Sequence, residues 1–308
     1  MSYQRLVESH NRTTYSDNIK MVAQQLKNPL VDAVTVTHET GEAVSVADLL
    51  GKKDYIEGED GSRRNPDNPT PNSRRFLLKP GVIEDGEYID KDLKFNQAMD
   101  PTSNLVKNSV ATVQRGVFDR ILGVKKKSDG TFGIRSGGIY GAALEGKRGQ
   151  TKVQIPGTSI IAAGSTGLTI TKLRKAQEGM EIEDFGLEEE QQMFSIISPK
   201  QKTDLLEIAK ATGTALNQFD LEQIKTGKPT TLLGITWLFS NRVPHVAGNR
   251  RIALWTKDNV VANFWQELQG DMWNDTSAKN MPYIYTDAYV DATRAEDAGV
   301  RFIDCVEG

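Results

Sequence analysis

Residues 61–80 read GSRRNPDNPTPNSRRFLLKP, and no other stretch restricts the fold so strongly. Pro66, Pro69 and Pro71 lack a backbone donor and fix their own φ, so no helix can pass through. Between the arginine pairs Arg63–Arg64 and Arg74–Arg75 there is no large apolar side chain, so the stretch cannot build a core. It sits in a longer region, from about Leu50 to Met99, punctuated by Gly51, Gly58, Gly61, Gly81 and Gly86 and by a fourth proline, Pro80. A loop of that length is unusual inside a compact domain, and is either disordered or functional.

The remainder of the chain can support such an arm. Its 308 residues fill one large domain or two modest ones. A hydrophobic fraction of 38% and a charged fraction of 26% are those of a soluble globular protein, which sets the coreless region apart. The net charge of −3 makes any basic function local. No apolar run approaches the ~18–20 residues that span a bilayer, and the opening MSYQRLVESHNRTTYSDN lacks the apolar core of a signal peptide. Cys305 is the only cysteine, which excludes an internal disulfide and a multi-cysteine metal site and fits a reducing cytoplasm.

Periodicity supplies the elements. Ile19, Val22, Ala23 and Leu26 form one apolar stripe behind Ser16, predicting a helix over 17–27 that ends at Asn28-Pro29. LVDAVTVTHETGEAVSV reads as two strands around a turn at Glu39–Glu42, and the arm region contains extended pieces at 74–79 and 87–95. Val106, Val110, Val113, Val117 and Ile121 lie at spacings of 4, 3, 4 and 4, predicting a long helix closed by Gly123 and held by tertiary burial. A second helix is expected over 169–181 with Thr169 as N-cap, then the strand MFSIIS, then a helix from Pro199. From 230 onward the chain reads as mainly β, with YIYTDAYVDATR and GVRFIDCV as a closing hairpin around 295–299 and Glu307 and Gly308 dispensable beyond it.

The search for chemistry returns little. GAALEGKR at 141–148 has the glycine-lysine spacing of a phosphate loop, but Arg148 stands where Mg²⁺ needs a Ser or Thr. His10, His38 and His245 lie far apart and read as structural or surface residues. FWQELQGDMWND places Glu267, Asp271 and Asp275 four apart, which on a helix would align three carboxylates; packing tryptophans beside a solvated face are the plainer reading. Cys305 alternates with Ile303 in the last strand and reads as a buried thiol. No catalytic, cofactor-binding or metal-binding residues are assigned, and a non-enzymatic chain needing no cofactor is expected.

The order of elements resembles the major capsid proteins of tailed double-stranded DNA phages with the Hong Kong 97-type fold. Three stretches carry the resemblance: VKNSVATVQRGVFDRILG, with Arg115, Asp119 and Gly123, is similar to the family's spine helix; LTITKLRKAQEGMEIEDFGLEEEQQMFSIISPKQKTDLLEI to its entry into the axial domain; and YVDATRAEDAGVRFIDC to its closing hairpin. The resemblance implies an α+β capsid fold: N-terminal arm and first strands at 1–49, extended loop at 50–97, peripheral domain at 98–160 and 276–308 with the spine helix at 104–123, and axial domain at 161–275. It implies an arm that leaves one subunit and lies on its neighbour, with Arg63, Arg64, Arg74 and Arg75 gripping carboxylates there. It further implies self-assembly into pentamers and hexamers of an icosahedral virion head built in the host bacterial cytoplasm. Double-stranded DNA would be enclosed without sequence preference, no membrane is involved, and there is room for separate scaffolding, portal and decoration or cement proteins. The alternatives are an encapsulin-like nanocompartment shell and, from another class, a soluble hydrolase using the carboxylates of 267–275.

Overall fold

A computed structural model describes residues 28–50, 53, 55, 57, 68–70, 72–89, 102–146, 149–188, 191–211 and 231–307. The helix expected over 17–27, Arg63 and Arg64 lie outside the described residues.

The long helix α1 spans Thr102–Leu122. Its buried stripe is Val113, Val117, Phe118, Ile121 and Leu122, with Val110 half-buried. Val106 departs from the expected core. It lies a turn before Ser109, where the described burial begins, and is 37% exposed. Gly123 ends α1 with φ +81°, its N–H returning to the Asp119 carbonyl at 2.9 Å.

Beneath α1 lies a four-stranded sheet in the order β1 (Thr35–Thr37), β15 (Val260–Asp275), β16 (Met281–Arg294) and β4 (Ile83–Tyr88). Strand alternation divides β16 cleanly. Ile284, Thr286, Ala288 and Val290 turn inward, where Ser109 of α1 hydrogen-bonds Thr286 at 3.1 Å, while Tyr283, Tyr285, Asp287 and Tyr289 turn outward. Gly116 allows α1 to sit close, since a Cβ there would meet Ile83 of β4 at 2.4 Å.

A second sheet of seven strands runs β11 (Thr231–Leu232), β12 (Ile235–Phe239), β10 (Met193–Ile197), β14 (Asn249–Thr256), β17 (Val300–Cys305) and β9 (Ile160–Ile161), with β13 (His245–Val246) also on β14. Helices α2 (Ile170–Glu181) and α3 (Pro199–Ala211) accompany it, and Thr169 caps α2 as expected by accepting from the Lys172 N–H. A core around Leu173, Met180, Ile197, Trp237, Ile303 and Cys305 packs here. A larger core joins α1 to both sheets through Trp255, Val260, Val290 and Phe302.

A third sheet, β2 (Ala43–Leu50), β3 (Asn72–Leu78), β7 (Ala143–Glu145) and β8 (Thr151–Val153), roots the arm in the body; β5 (Val124–Lys126) and β6 (Phe132–Ile134) form a small hairpin after α1. β1 and β2 are the two strands expected around 39–42, but they enter different sheets: β1 pairs parallel to β15 and β2 antiparallel to β3. The extended piece expected at 74–79 is β3; the one expected at 87–95 meets β4 (83–88) only at residues 87–88, and 90–95 lie outside the described residues, while pairing at the root of the arm begins at Ala43 rather than after Leu50.

Two expectations near the C-terminus are corrected. The closing hairpin does not form. β16 pairs with β15 and β4, while β17 pairs with β14 and β9 in the other sheet, because the 295–299 segment carries the chain across instead of turning it back. The boundary expected between 275 and 276 accordingly falls in the turn of the β15–β16 hairpin. The chain crosses between sheets at 257–259 and again at 295–299. Asn259 ties the two crossings together: its amide donates to the Glu296 carbonyl at 2.9 Å and accepts from the Glu296 N–H at 2.8 Å.

Candidate assembly surface

The outward face of β15, β16 and β4 is built in cross-strand rows. Trp273, Tyr283 and Tyr88 are direct neighbours across three strands; Asp271, Tyr285 and Gly86 form the next row, and Gln269, Asp287 and Glu84 the third. Gly86 makes the aromatic row possible, since a Cβ there would fall 2.0 Å from the Tyr283 hydroxyl. Ring centroids stand 4.6 Å apart for Tyr88–Tyr283 and 5.1 Å for Trp273–Tyr283, within the range of favourable aromatic pairs. Phenols donate to carboxylates: Tyr88 to Asp275 at 2.7 Å and Tyr285 to Glu84 at 2.7 Å. The bond to Glu84 pushes the Tyr285 phenol up to about 12, and donors from Ser277 and Tyr88 hold the Asp275 carboxyl below its ordinary range. Trp273 is 43% exposed and Tyr88 45%, so the face is a solvent-exposed aromatic surface ringed by acid.

Nearer the body the same sheet is covered by the root of the arm. Arg75 on β3 is 6% exposed and pairs with Glu145 of β7 at 2.8 Å and Asp297 at 3.1 Å. Arg294 joins through Asp297 and donates to the Gly141 and Val153 carbonyls. Lys79, where the chain returns from the arm, places its ammonium 5.0 Å from the Tyr289 ring centroid.

A family model described as phage capsid protein matches residues 7–307. The chain belongs to the phage capsid protein family. This capsid protein is similar to the capsid structure of the cyanophage P-SCSP1u (TM-score 0.63, 12% identity, 96% of this chain and 93% of that one). It is likewise similar to the capsid of an empty GTA particle (TM-score 0.64, 15% identity, 95% and 94%). The holo-SrpI encapsulin complex of Synechococcus elongatus PCC 7942 also shares the fold (TM-score 0.55, 13% identity, 95% and 93%). No curated protein matches the sequence. The fold is of the Hong Kong 97 type, and the family is structural, a component of the virion head.

Within this capsid protein the anticipated residues separate. Arg75 turns into its own subunit, unlike the neighbour-facing role expected of it, because Glu145 and Asp297 of the same chain occupy it. Arg74, the next residue on β3, is exposed. Val113, Val117 and Ile121 lie in the core. The 267–275 carboxylates lie on a strand instead of a helix; four strand residues span about 13 Å, so they cannot converge on one reacting bond. Their surroundings of alternating Trp, Met and Gln suit a pleated face better than a helix stripe. His38 and His245 each face one glutamate, Glu267 at 3.7 Å and Glu307 at 3.4 Å, and no group of three or more potential ligands gathers among the described residues.

Two residues carry more than the sequence advertised. Glu307 accepts from Arg250 at 2.9 Å, Ser198 at 2.9 Å and Gln201 at 3.1 Å, locking the chain's end to β14 and the start of α3. Burial alone would raise this carboxyl; the three donors outweigh it and hold it at about 2. The Lys172 ammonium is enclosed by the carbonyls of Ala163, Thr166, Gly167 and Asp304 at 2.7–3.1 Å, fixing the 163–168 loop to β17. Cys305, beside it, is fully buried, and burial pushes its thiol up to about 12, the state of an inert structural cysteine.

Proposed function

We propose that this capsid protein is the major shell subunit of a tailed-phage head, assembling with itself into pentamers and hexamers of an icosahedral shell around double-stranded DNA held without sequence preference. The observation that carries this reading is the anchored arm. β2 and β3 leave the body as a pair fixed by Arg75, and the connecting run 58–71 has no large apolar side chain of its own. An element of that kind gains its order from another subunit's surface, and prolines lower the cost of ordering it. In this reading α1 with its four-stranded sheet is the peripheral domain, the seven-stranded sheet with α2 and α3 is the axial domain, and 50–97 contains the extended loop, with Arg63, Arg64 and Arg74 directed at the neighbour. Assembly takes place in the host bacterial cytoplasm, with scaffolding, portal and decoration proteins as separate chains.

Electron micrographs of the purified protein test this directly: closed shells or uniform capsomers are expected, and a monodisperse monomer under all assembly conditions overturns it. A second reading, a nanocompartment shell holding protein cargo, draws on the likeness to the encapsulin complex. The absorbance ratio at 260 and 280 nm of native particles separates the two, since nucleic acid dominates only in the first.

A further inference from the structure

The two sides of the four-stranded sheet differ in charge. The outward face carries Glu84, Asp271, Asp275 and Asp287, whereas α1 covers the opposite side. Along the end of α1 and the β5–β6 hairpin the chain carries Arg115, Arg120, Lys125, Lys126, Lys127 and Arg135 against Asp119 and Asp129, in a protein of net charge −3. The fold draws these residues together and adds Arg242. Its guanidinium pairs with Asp119 and lies 5.1 Å from the Phe132 ring centroid, joining the segment before β13 to α1 and to the hairpin. Arg115 and Arg135 act electrostatically on the same carboxylate, and Arg120 and Arg135 on the buried Asp291. The hairpin adds its three lysines, all exposed, while Asp129 is occupied by the Thr131 N–H and hydroxyl at 2.8 and 2.6 Å. Strand pairing sets Lys126 on the hairpin face of Phe132 and Lys125 on the other, so cations stand on both sides of a ribbon two strands wide. The rings nearby, Phe118, Phe132 and Tyr140, are buried.

We propose that this surface, the β5–β6 hairpin together with the arginines at the end of α1, is where the subunit meets duplex DNA, through the phosphate backbone. The proposal rests on the shell reading above and names the contact on the subunit that the reading leaves open. Local charge selects a polyanion. The buried rings then separate the kinds of polyanion. Single strands are held by bases stacked on aromatic side chains, and protein interfaces are anchored by aromatic ones; among the described residues of this surface no ring is exposed. A lysine ammonium is a point charge on a flexible stem, which can follow any run of phosphates and reads no base. A two-stranded ribbon also suits the shape of a duplex, whose major groove, about 12 Å wide, admits one between two walls of phosphate.

Fluorescence anisotropy of a labelled duplex of about 30 base pairs, titrated with full-length unassembled subunits over a salt series, tests the proposal. Wild-type affinity should fall steeply with salt. Lys125→Gln with Lys126→Gln and Lys127→Gln should weaken binding at least about tenfold and lower the logarithmic salt slope by about 2–3, at about 0.9 per phosphate contact. The three side chains are exposed, so the melting temperature should hold. Arginine at all three positions should keep the affinity within about threefold of wild type. Lys152→Gln with Arg174→Gln and Lys175→Gln removes the same charge from exposed positions elsewhere, and should also stay within about threefold. Should the hairpin triple fail to fold, Lys126→Gln alone decides, with a slope lowered by about 1. A hairpin glutamine variant equal to wild type, an arginine variant as weak as the glutamine one, or a control triple that loses as much overturns the proposal. Tighter binding of polyglutamate than of the duplex also overturns it, assigning the surface to an acidic protein. Wild-type protein that forms no shells under any condition refutes the shell reading itself, an outcome read on micrographs and not on these binding curves.

Discussion

At Gly123 the backbone takes a φ of +81°, and a Cβ there would lie 2.4 Å from the Gly137 carbonyl oxygen. Gly123→Ala therefore adds left-handed strain to a backbone clash, and chemical denaturation of unassembled subunits should show a loss on the order of 2–3 kcal/mol. Two carboxylates give stability opposite dependences on pH. Burial pushes Asp291 up to about 6, so its folded form binds a proton more readily than the unfolded chain; its penalty is full above 6 and disappears as pH falls toward 4. Glu307, held at about 2, contributes stability above its ordinary range that is lost as pH falls from about 4.5 toward 2. The melting temperature should rise between pH 7 and pH 5 and drop below pH 4. Asp291→Asn should flatten the first limb and Glu307→Gln the second; an unchanged profile in either variant refutes the assignment. The turn glycine was legible from its place after a helix pattern, whereas Glu307 was not, since its partners lie on three other segments and two trailing polar residues look like a frayed end.

At the scale of elements, α1 separates two valines that sequence spacing makes equivalent. Val113→Asp buries an unpaired charge against the sheet, costs several kcal/mol out of a total of about 5–15, and should yield insoluble subunits; Val106→Asp, at an exposed position, should express and melt within about 0.5 kcal/mol of wild type. The C-terminal strand makes a comparable test. Deleting 299–308 removes β17 from between β14 and β9 and orphans their inner ladder groups, each costing about 1–3 kcal/mol, so aggregation is expected. Deleting 307–308 alone leaves the sheet but strips Arg250 of its carboxylate, and should give soluble protein with a visibly lower melting temperature. The helices were readable because 3.6-residue periodicity and caps are local properties. The partners of β16 and β17 were not, because the short 295–299 link suits a hairpin as well as a crossing, and only burial of Val300, Phe302 and Ile303 against the second sheet decides between them.

Taken as a whole, the molecule is two sheets and an arm meeting at one place. The arm's basic tip should be open to trypsin at Arg63–Arg64 in free subunits and protected in shells, while Arg75, buried on its ion pairs, should resist cleavage in both states; equal cutting at 63–64 in both would count against an arm laid on a neighbour. The arm was visible in the sequence from its prolines and its want of core residues. Its anchorage was not, because Asp297 is more than two hundred residues distant from Arg75. That anchorage turns the arm into a pointer. Arg75 is fastened to the strap that joins the two sheets, so the direction of the arm is whatever the joint dictates. Beyond Ala47, the residue opposite Arg75, β2 runs on to Leu50, roughly 10 Å further, and a swing of about 10° at the joint displaces that end by about 2 Å, several times the tolerance of a hydrogen bond. Subunits whose sheets are canted slightly differently would therefore reach for different footholds, and a single sequence could tile a curved surface without a second kind of tile.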